Sequence, residues 1–116
     1  MKQLARIVTE THGGLPVARI EGEVDMTNAQ RIADRLRGLL TNRSVALIVD
    51  LEPTTYLDSS GITLLFGLHE ELRRRQQQLH VVVPEGSPIG RVLGITGLDQ
   101  VVPTHPTLES ALEQAG

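Results

Sequence analysis

The apolar positions of this chain change period several times along its 116 residues. Residues 4–10 (LARIVTE) and 15–21 (LPVARIE) alternate in part, which is the two-residue period of a half-buried strand. Gly13-Gly14 lies between them and suits a turn that needs positive φ. The two runs predict a β-hairpin, with Pro16 marking either an edge position or the start of the second strand. GEVDMT, residues 22–27, then reads as a loop. From residue 28 to residue 40, Ala29, Ile32, Ala33, Leu36, Leu39 and Leu40 fall at helical spacing, with Thr27 or Asn28 as N-cap.

Residues 45–51 (VALIVDL) form a short, nearly continuous apolar run rich in β-branched side chains, the signature of a strand buried on both faces. Pro53 breaks it. YLDSSGITLLFGL, residues 56–68, starts polar and turns apolar at a helical rhythm, predicting a helix over about 59–76. Residues 79–83 (LHVVV) read as another buried strand, stopped by Pro84. Residues 87–94 predict a short helix with Pro88 at its first position. Val101-Val102 reads as a short strand, and residues 107–115 as a last helix opened by a capping-box-like TLES. The order β-β-α-β-α-β-α-β-α predicts one α/β domain over residues 1–116. Its sheet is mixed but mostly parallel and packs with about four helices.

Composition narrows the function. Apolar residues make up 40% of the chain, enough for one core, and Tyr56 and Phe66 are its only aromatics. The net charge is −3, so nucleic acid is not expected as a partner. Absence of cysteine excludes disulfides and thiolate metal sites. No stretch resembles a signal peptide or the roughly 18 apolar residues of a membrane span. A soluble cytoplasmic protein without membrane attachment is expected. RRRQQQ, residues 73–78, is the one biased segment. It reads as a solvated helix end with cations near the negative pole of the helix dipole, or as a basic docking patch.

The chemistry concentrates in Asp58-Ser59-Ser60-Gly61. Asp58 or Ser59 can cap the coming helix, worth about 1 kcal/mol over Ala. A glycine in the first turn costs roughly 1 kcal/mol, so something needs its missing side chain. Two consecutive hydroxyls also exceed what one cap requires. A serine exposed at a helix N-terminus, after a parallel strand, can instead carry a phosphate. That group meets the helix dipole and brings about −1.5 to −2 charges beside Asp58. These properties alone do not choose between Ser59 and Ser60. A nucleophilic serine would need a histidine base. His12, His69, His80 and His105 are scattered, and no G-x-S-x-G elbow, metal-ligand spacing or phosphate-binding loop is present. The chain is therefore not expected to be an enzyme, nor to hold a metal or cofactor.

EGEVDMTNAQRIADRL (residues 21–36), followed after a buried strand by YLDSSGITLLFGL, resembles the STAS domain and in particular bacterial anti-sigma factor antagonists. The resemblance implies that Ser59 is the phosphoacceptor. It further implies that the kinase is an anti-sigma factor of the histidine-kinase-like ATPase fold, carrying ATP. Unphosphorylated chain would bind that factor and free a sigma factor for transcription in a stress response. A PP2C-type phosphatase would reset the switch. Gly22, Glu23, Asp25, Met26, Thr27 and Asn28, with Asp58, Ser60, Gly61, Ile62 and Thr63, would form the docking surface, and Asp25 would lie near Ser59. Where the family often has Leu-Gly after the motif, this chain has Ile62-Thr63, which bears on partner choice. The alternative is a STAS scaffold subunit of a stress-signalling or lipid-transport complex that is never phosphorylated.

Overall fold

The computed structural model describes residues 5–116, so Leu4, the expected start of the first strand, lies outside the described residues. Strand β1 (Ala5–His12) and strand β2 (Leu15–Val24) pair antiparallel from Ala5 opposite Gly22 to His12 opposite Leu15. Gly13 and Gly14 both take positive φ, 56° and 85°. Their two-residue turn follows the right-handed twist of the strands it joins. β2 runs further than its pattern predicts and takes in Gly22, Glu23 and Val24, which were expected in a loop. Gly22 has φ 103°, and the register shifts between Gly22 and Glu23. The bulge breaks the alternation by which a strand is recognised.

β3 (Ala46–Asp50) lies parallel to the first half of β2, and all five of its residues are buried, as its apolar run requires. Pro53 ends that run, yet the chain resumes as β4 (Thr54–Leu57), parallel to the second half of β2. β4 is missing from the order expected above. TTYL has too little apolar pattern to be read as a strand; its pairing comes from partners distant in sequence. The Gly22 amide donates to the Pro53 carbonyl at 3.1 Å, and the buried Thr54 hydroxyl donates to the Ile20 carbonyl at 2.7 Å. β5 (Gln78–Val82) pairs parallel with β3, and the two-residue β6 (Thr104–His105) pairs with β5. Val101-Val102 is not a strand. It follows a short 3-10 helix, and Val102 turns into the core while β6 forms beyond it. The sheet order is β1-β2-β3-β5-β6, with β4 beside β2. Among the described residues, six strands and four α-helices make the mixed, mostly parallel α/β architecture.

Helices α1 (Ala29–Arg37), α2 (Ser59–Arg74) and α3 (Pro88–Thr96) cover one face. There Ile32, Leu36, Leu65, Leu68, Leu72 and Leu93 pack on Ala18, Ile20, Leu47, Val49, Leu79 and Val81. α4 (Leu108–Ala115) covers the other face with Ala111, Leu108 and Leu112 over Val17, Ile48 and Val82. A fully buried leucine stabilises by roughly 1.5–3 kcal/mol, so the α1–α3 layer carries most of the apolar stabilisation. Ser87 caps α3 through the Gly90 amide at 3.0 Å, and Thr107 caps α4 through the Ser110 amide at 3.1 Å, both as their sequence context predicts. Among the described residues no helix is long and apolar enough to cross a membrane.

Candidate functional site

β2 and β4 run parallel and stop together, with Val24 opposite Leu57. The Asp58 amide donates to the Val24 carbonyl at 3.2 Å and closes the pair. Each strand then feeds a helix, β2 into α1 and β4 into α2. This carboxyl edge is where α/β sheets gather their sites, since the loops are exposed and their roots rigid. The two sequence motifs, residues 22–28 and 58–63, are therefore neighbours in space.

Asp58 is the cap of α2. Its backbone is extended, and its Oδ1 accepts from the Ser60 amide at 2.8 Å and the Gly61 amide at 3.4 Å. Ser59 is thereby spared capping duty and stands exposed at the first helical position. Ser60 is half-buried and lines a shallow groove between α1 and α2 with Ala29, Ala33, Thr63, Leu64 and Gly67. A Cβ on buried Gly61 would stand 2.3 Å from Leu57 Cδ1 and 3.2 Å from Val24 Cγ1. The glycine lets the first turn of α2 rest directly on the ends of β2 and β4.

The β2–α1 loop is held just as closely. Asp25 Oδ1 accepts from the Thr27 amide at 2.9 Å and from the Thr27 hydroxyl. These bonds, the hydroxyl first, hold the Asp25 carboxyl below the usual carboxylate range, so it is ionised at neutral pH. Asn28 occupies the N-cap position of α1, but neither it nor Thr27 caps the helix with its side chain. Asn28 is buried; its Oδ1 accepts from the Asp25 amide at 3.0 Å and its Nδ2 donates to the Glu23 carbonyl at 2.9 Å. It ties the loop back to β2.

The expected contact residues thus divide. Glu23, Met26, Thr27, Ser59 and Thr63 are exposed, Gly22, Asp25, Asp58 and Ser60 partly so, and Met26 presents 79% of its surface to solvent. Asn28, Gly61 and Ile62 are buried and present little area to a partner. Sequence reasoning missed Tyr56, half-exposed on β4 opposite Glu23, and the α1–α2 groove. Gly67 was the available signal for the groove. It is a mid-helix glycine with nothing within 4 Å of where a Cβ would stand, an unforced cost of about 1 kcal/mol. Among the described residues, His12 bonds to Glu10, and His80 bonds to His105 and Gln78. No histidine hydrogen bond reaches Ser59 or Ser60 there, and no group of three or more His, Asp and Glu is arranged to hold a metal ion.

The family model for the STAS domain matches residues 6–111. The anti-sigma-F factor antagonist RsfB of Mycobacterium tuberculosis is 28% identical over 106 residues, 91% of this chain and 85% of that protein. The crystal structure of an anti-sigma factor antagonist from Mycobacterium paratuberculosis aligns with a TM-score of 0.85 at 29% identity, covering 96% of this chain and 93% of that one. Bacillus SpoIIAA in its phosphorylated form aligns with a TM-score of 0.68 at 24% identity, over 96% of this chain and 100% of that one. This last likeness is one of fold.

Proposed function

The chain belongs to the STAS domain family, and from that premise we propose that it is an anti-sigma factor antagonist switched by a phosphate on Ser59. The carrying observation is the exposed Ser59 hydroxyl at the seam of two rigid loops, beside a cap that does not use it. Unphosphorylated, the chain docks on an anti-sigma factor of the histidine-kinase-like ATPase fold and so frees a sigma factor for transcription. Glu23, Asp25, Met26, Thr27, Asp58, Ser60 and Thr63 make the contact, while Gly22, Asn28, Gly61 and Ile62 hold its shape. Met26 supplies an apolar anchor inside a polar rim, the usual anatomy of a protein interface.

The same partner is the kinase. Ser59 Oγ attacks the γ-phosphorus of ATP held by that partner; a new O–P bond forms, the bond to the β-phosphate oxygen breaks, ADP leaves, and a base on the partner takes the hydroxyl proton. The phosphate adds about −1.5 to −2 charges beside Asp58 and Asp25. Asp58 already occupies the Ser60 and Gly61 amides that would otherwise stabilise it. The new charge therefore faces solvent and the partner, and it changes surface potential more than fold. Release follows, and a PP2C-type phosphatase in the cytoplasm resets the chain. The chain itself catalyses nothing in this scheme.

Incubating the chain with the histidine-kinase-like ATPases of its source organism and MgATP tests this, read by intact mass and peptide mapping. One phosphate on Ser59 is expected, lost in Ser59→Ala and kept in Ser60→Ala. No transfer from any of these kinases, or transfer to Ser60, would count against the switch and favour a constitutive STAS scaffold.

A further inference from the structure

The arginines at the far end of α2 have no part in the switch. α2 is 16 residues long, about 24 Å at 1.5 Å per residue, so they stand at the opposite end of the sheet from Ser59. Arg73, Arg74 and Arg75 are all exposed. Of these three, only Arg73 has an ion pair among the described residues, to Glu70 at 2.9 Å. The way the helix stops fixes this cluster in place. Gln76 enters the left-handed region at φ 58°, its amide donates to the Arg73 carbonyl at 3.0 Å, and the Gln77 amide donates to the Leu72 carbonyl at 2.8 Å. These two bonds form a closed Schellman ending. The side chain of buried Gln77 then donates through Nε2 to the Thr41 and Ser44 carbonyls, both at 2.8 Å. The α1–β3 loop is drawn against the end of α2 and brings Arg43 with it, exposed and without an ion pair among the described residues. Next to it Val45 is 59% exposed, with its carbonyl bonded to the Gln78 amide at 3.1 Å. A chain of net charge −3 thus gathers four cations and one bare apolar side chain on a braced frame.

We propose that this end is a second docking surface, built for an acidic protein segment that carries an apolar residue, and that it is occupied whatever the state of Ser59. Guanidinium groups pair with carboxylates in two-pronged fashion, and Val45 supplies the apolar contact. A single-stranded nucleic acid fits poorly, since binding there relies on aromatic stacking and the only aromatics, Tyr56 and Phe66, lie elsewhere. A membrane fits poorly too, because one valine offers little to insert. Independence from the switch follows from distance: about 24 Å exceeds the screening length of about 8–10 Å in physiological salt.

The test is a titration of the ¹⁵N-labelled full chain with a glutamate-rich peptide carrying a central leucine, at an ionic strength of about 0.15 M. Amide shifts confined to residues 41–45 and 73–78 are expected. The triple variant Arg43→Ala/Arg74→Ala/Arg75→Ala, whose spectrum elsewhere reports an intact fold, should bind roughly tenfold more weakly. Ser59→Asp should bind within about twofold of the unmodified chain, because the charge it adds is screened at this distance. The proposal fails if no shifts appear, or if equal shifts appear at Arg6, Arg31 and Arg35, which would mark general attraction of a polyanion. It fails equally if a short single-stranded RNA or phosphatidylglycerol vesicles bind more tightly than the peptide.

Discussion

A methyl group at position 61 would press on Leu57 from 2.3 Å. Overpacking of this kind costs about 1–3 kcal/mol, and alanine regains only about 1 kcal/mol of helix propensity. Gly61→Ala is therefore expected to lower the urea midpoint, and an unchanged or higher midpoint would mean that Leu57 moves aside freely. Two residues earlier, the cap and the free hydroxyl can be separated. Asp58→Ala should lose about 1 kcal/mol of stability with its bonds to the Ser60 and Gly61 amides. Ser59→Ala should stay within about 0.5 kcal/mol of the parent. Equal losses in urea unfolding would show that Ser59 shares the capping. At this scale the sequence was informative where a residue was locally costly: the glycine in a first helical turn and the surplus hydroxyl both stood out. Which serine was free could not be read, because it depends on which side chain the helix amides choose.

Among the elements, the ones with a long apolar period were legible. β1, β3, β5 and α2 follow their patterns, and the caps Ser87 and Thr107 act as their positions predict. β4 and β6 were not legible, since their strand character comes from pairing with β2 and β5 and hardly at all from their own composition. The end of β2 was hidden by its bulge. Asn28 illustrates the same limit: it has the identity and position of a cap, but its side chain serves the strand before it. Asn28→Ala leaves the Glu23 carbonyl and the Asp25 amide without these partners and is expected to cost about 1–3 kcal/mol. It should also loosen the half of the proposed docking surface that holds Asp25 and Met26. Thermal unfolding and affinity for the anti-sigma factor should fall together; a loss of stability with full affinity would place Asn28 outside the docking surface's support.

For the molecule as a whole, the two faces of the sheet have different chemistry. Under α1–α3 the sheet meets the helices with Ala18, Ile20, Leu47, Val49, Leu79 and Val81, whereas its other face also buries His80 and His105. His80 Nδ1 and His105 Nε2 are 2.9 Å apart, and His80 Nε2 donates to Gln78 Oε1 at 3.1 Å. Burial lowers the pKa of both rings, and for His80 the neighbouring His105 adds to the effect. Both are neutral in the folded protein at neutral pH. Below about pH 6.5 the unfolded chain takes up protons that the folded chain refuses, so stability declines as pH falls toward the lowered folded-state values. The urea midpoint should be flat above about pH 6.5 and fall below it, and His105→Gln should flatten that fall; a profile identical in the variant would assign the acid sensitivity elsewhere. The mixed, mostly parallel α/β architecture was legible from element order alone. The place of Arg43 beside Arg73–Arg75 was not, because the Gln77 side chain and the bond from the Gln78 amide to the Val45 carbonyl bring its loop there from a distant part of the sequence.

The central claim is that a phosphate on Ser59 turns binding off at the seam of β2 and β4. Calorimetric titration of the anti-sigma ATPase with the unphosphorylated chain, and then with the chain phosphorylated on Ser59, tests it most directly. The phosphorylated chain should bind at least roughly tenfold more weakly, through repulsion at a surface that already holds Asp25 and Asp58. Ser59→Ala should bind like the unphosphorylated chain. Equal dissociation constants for the two forms would contradict the account.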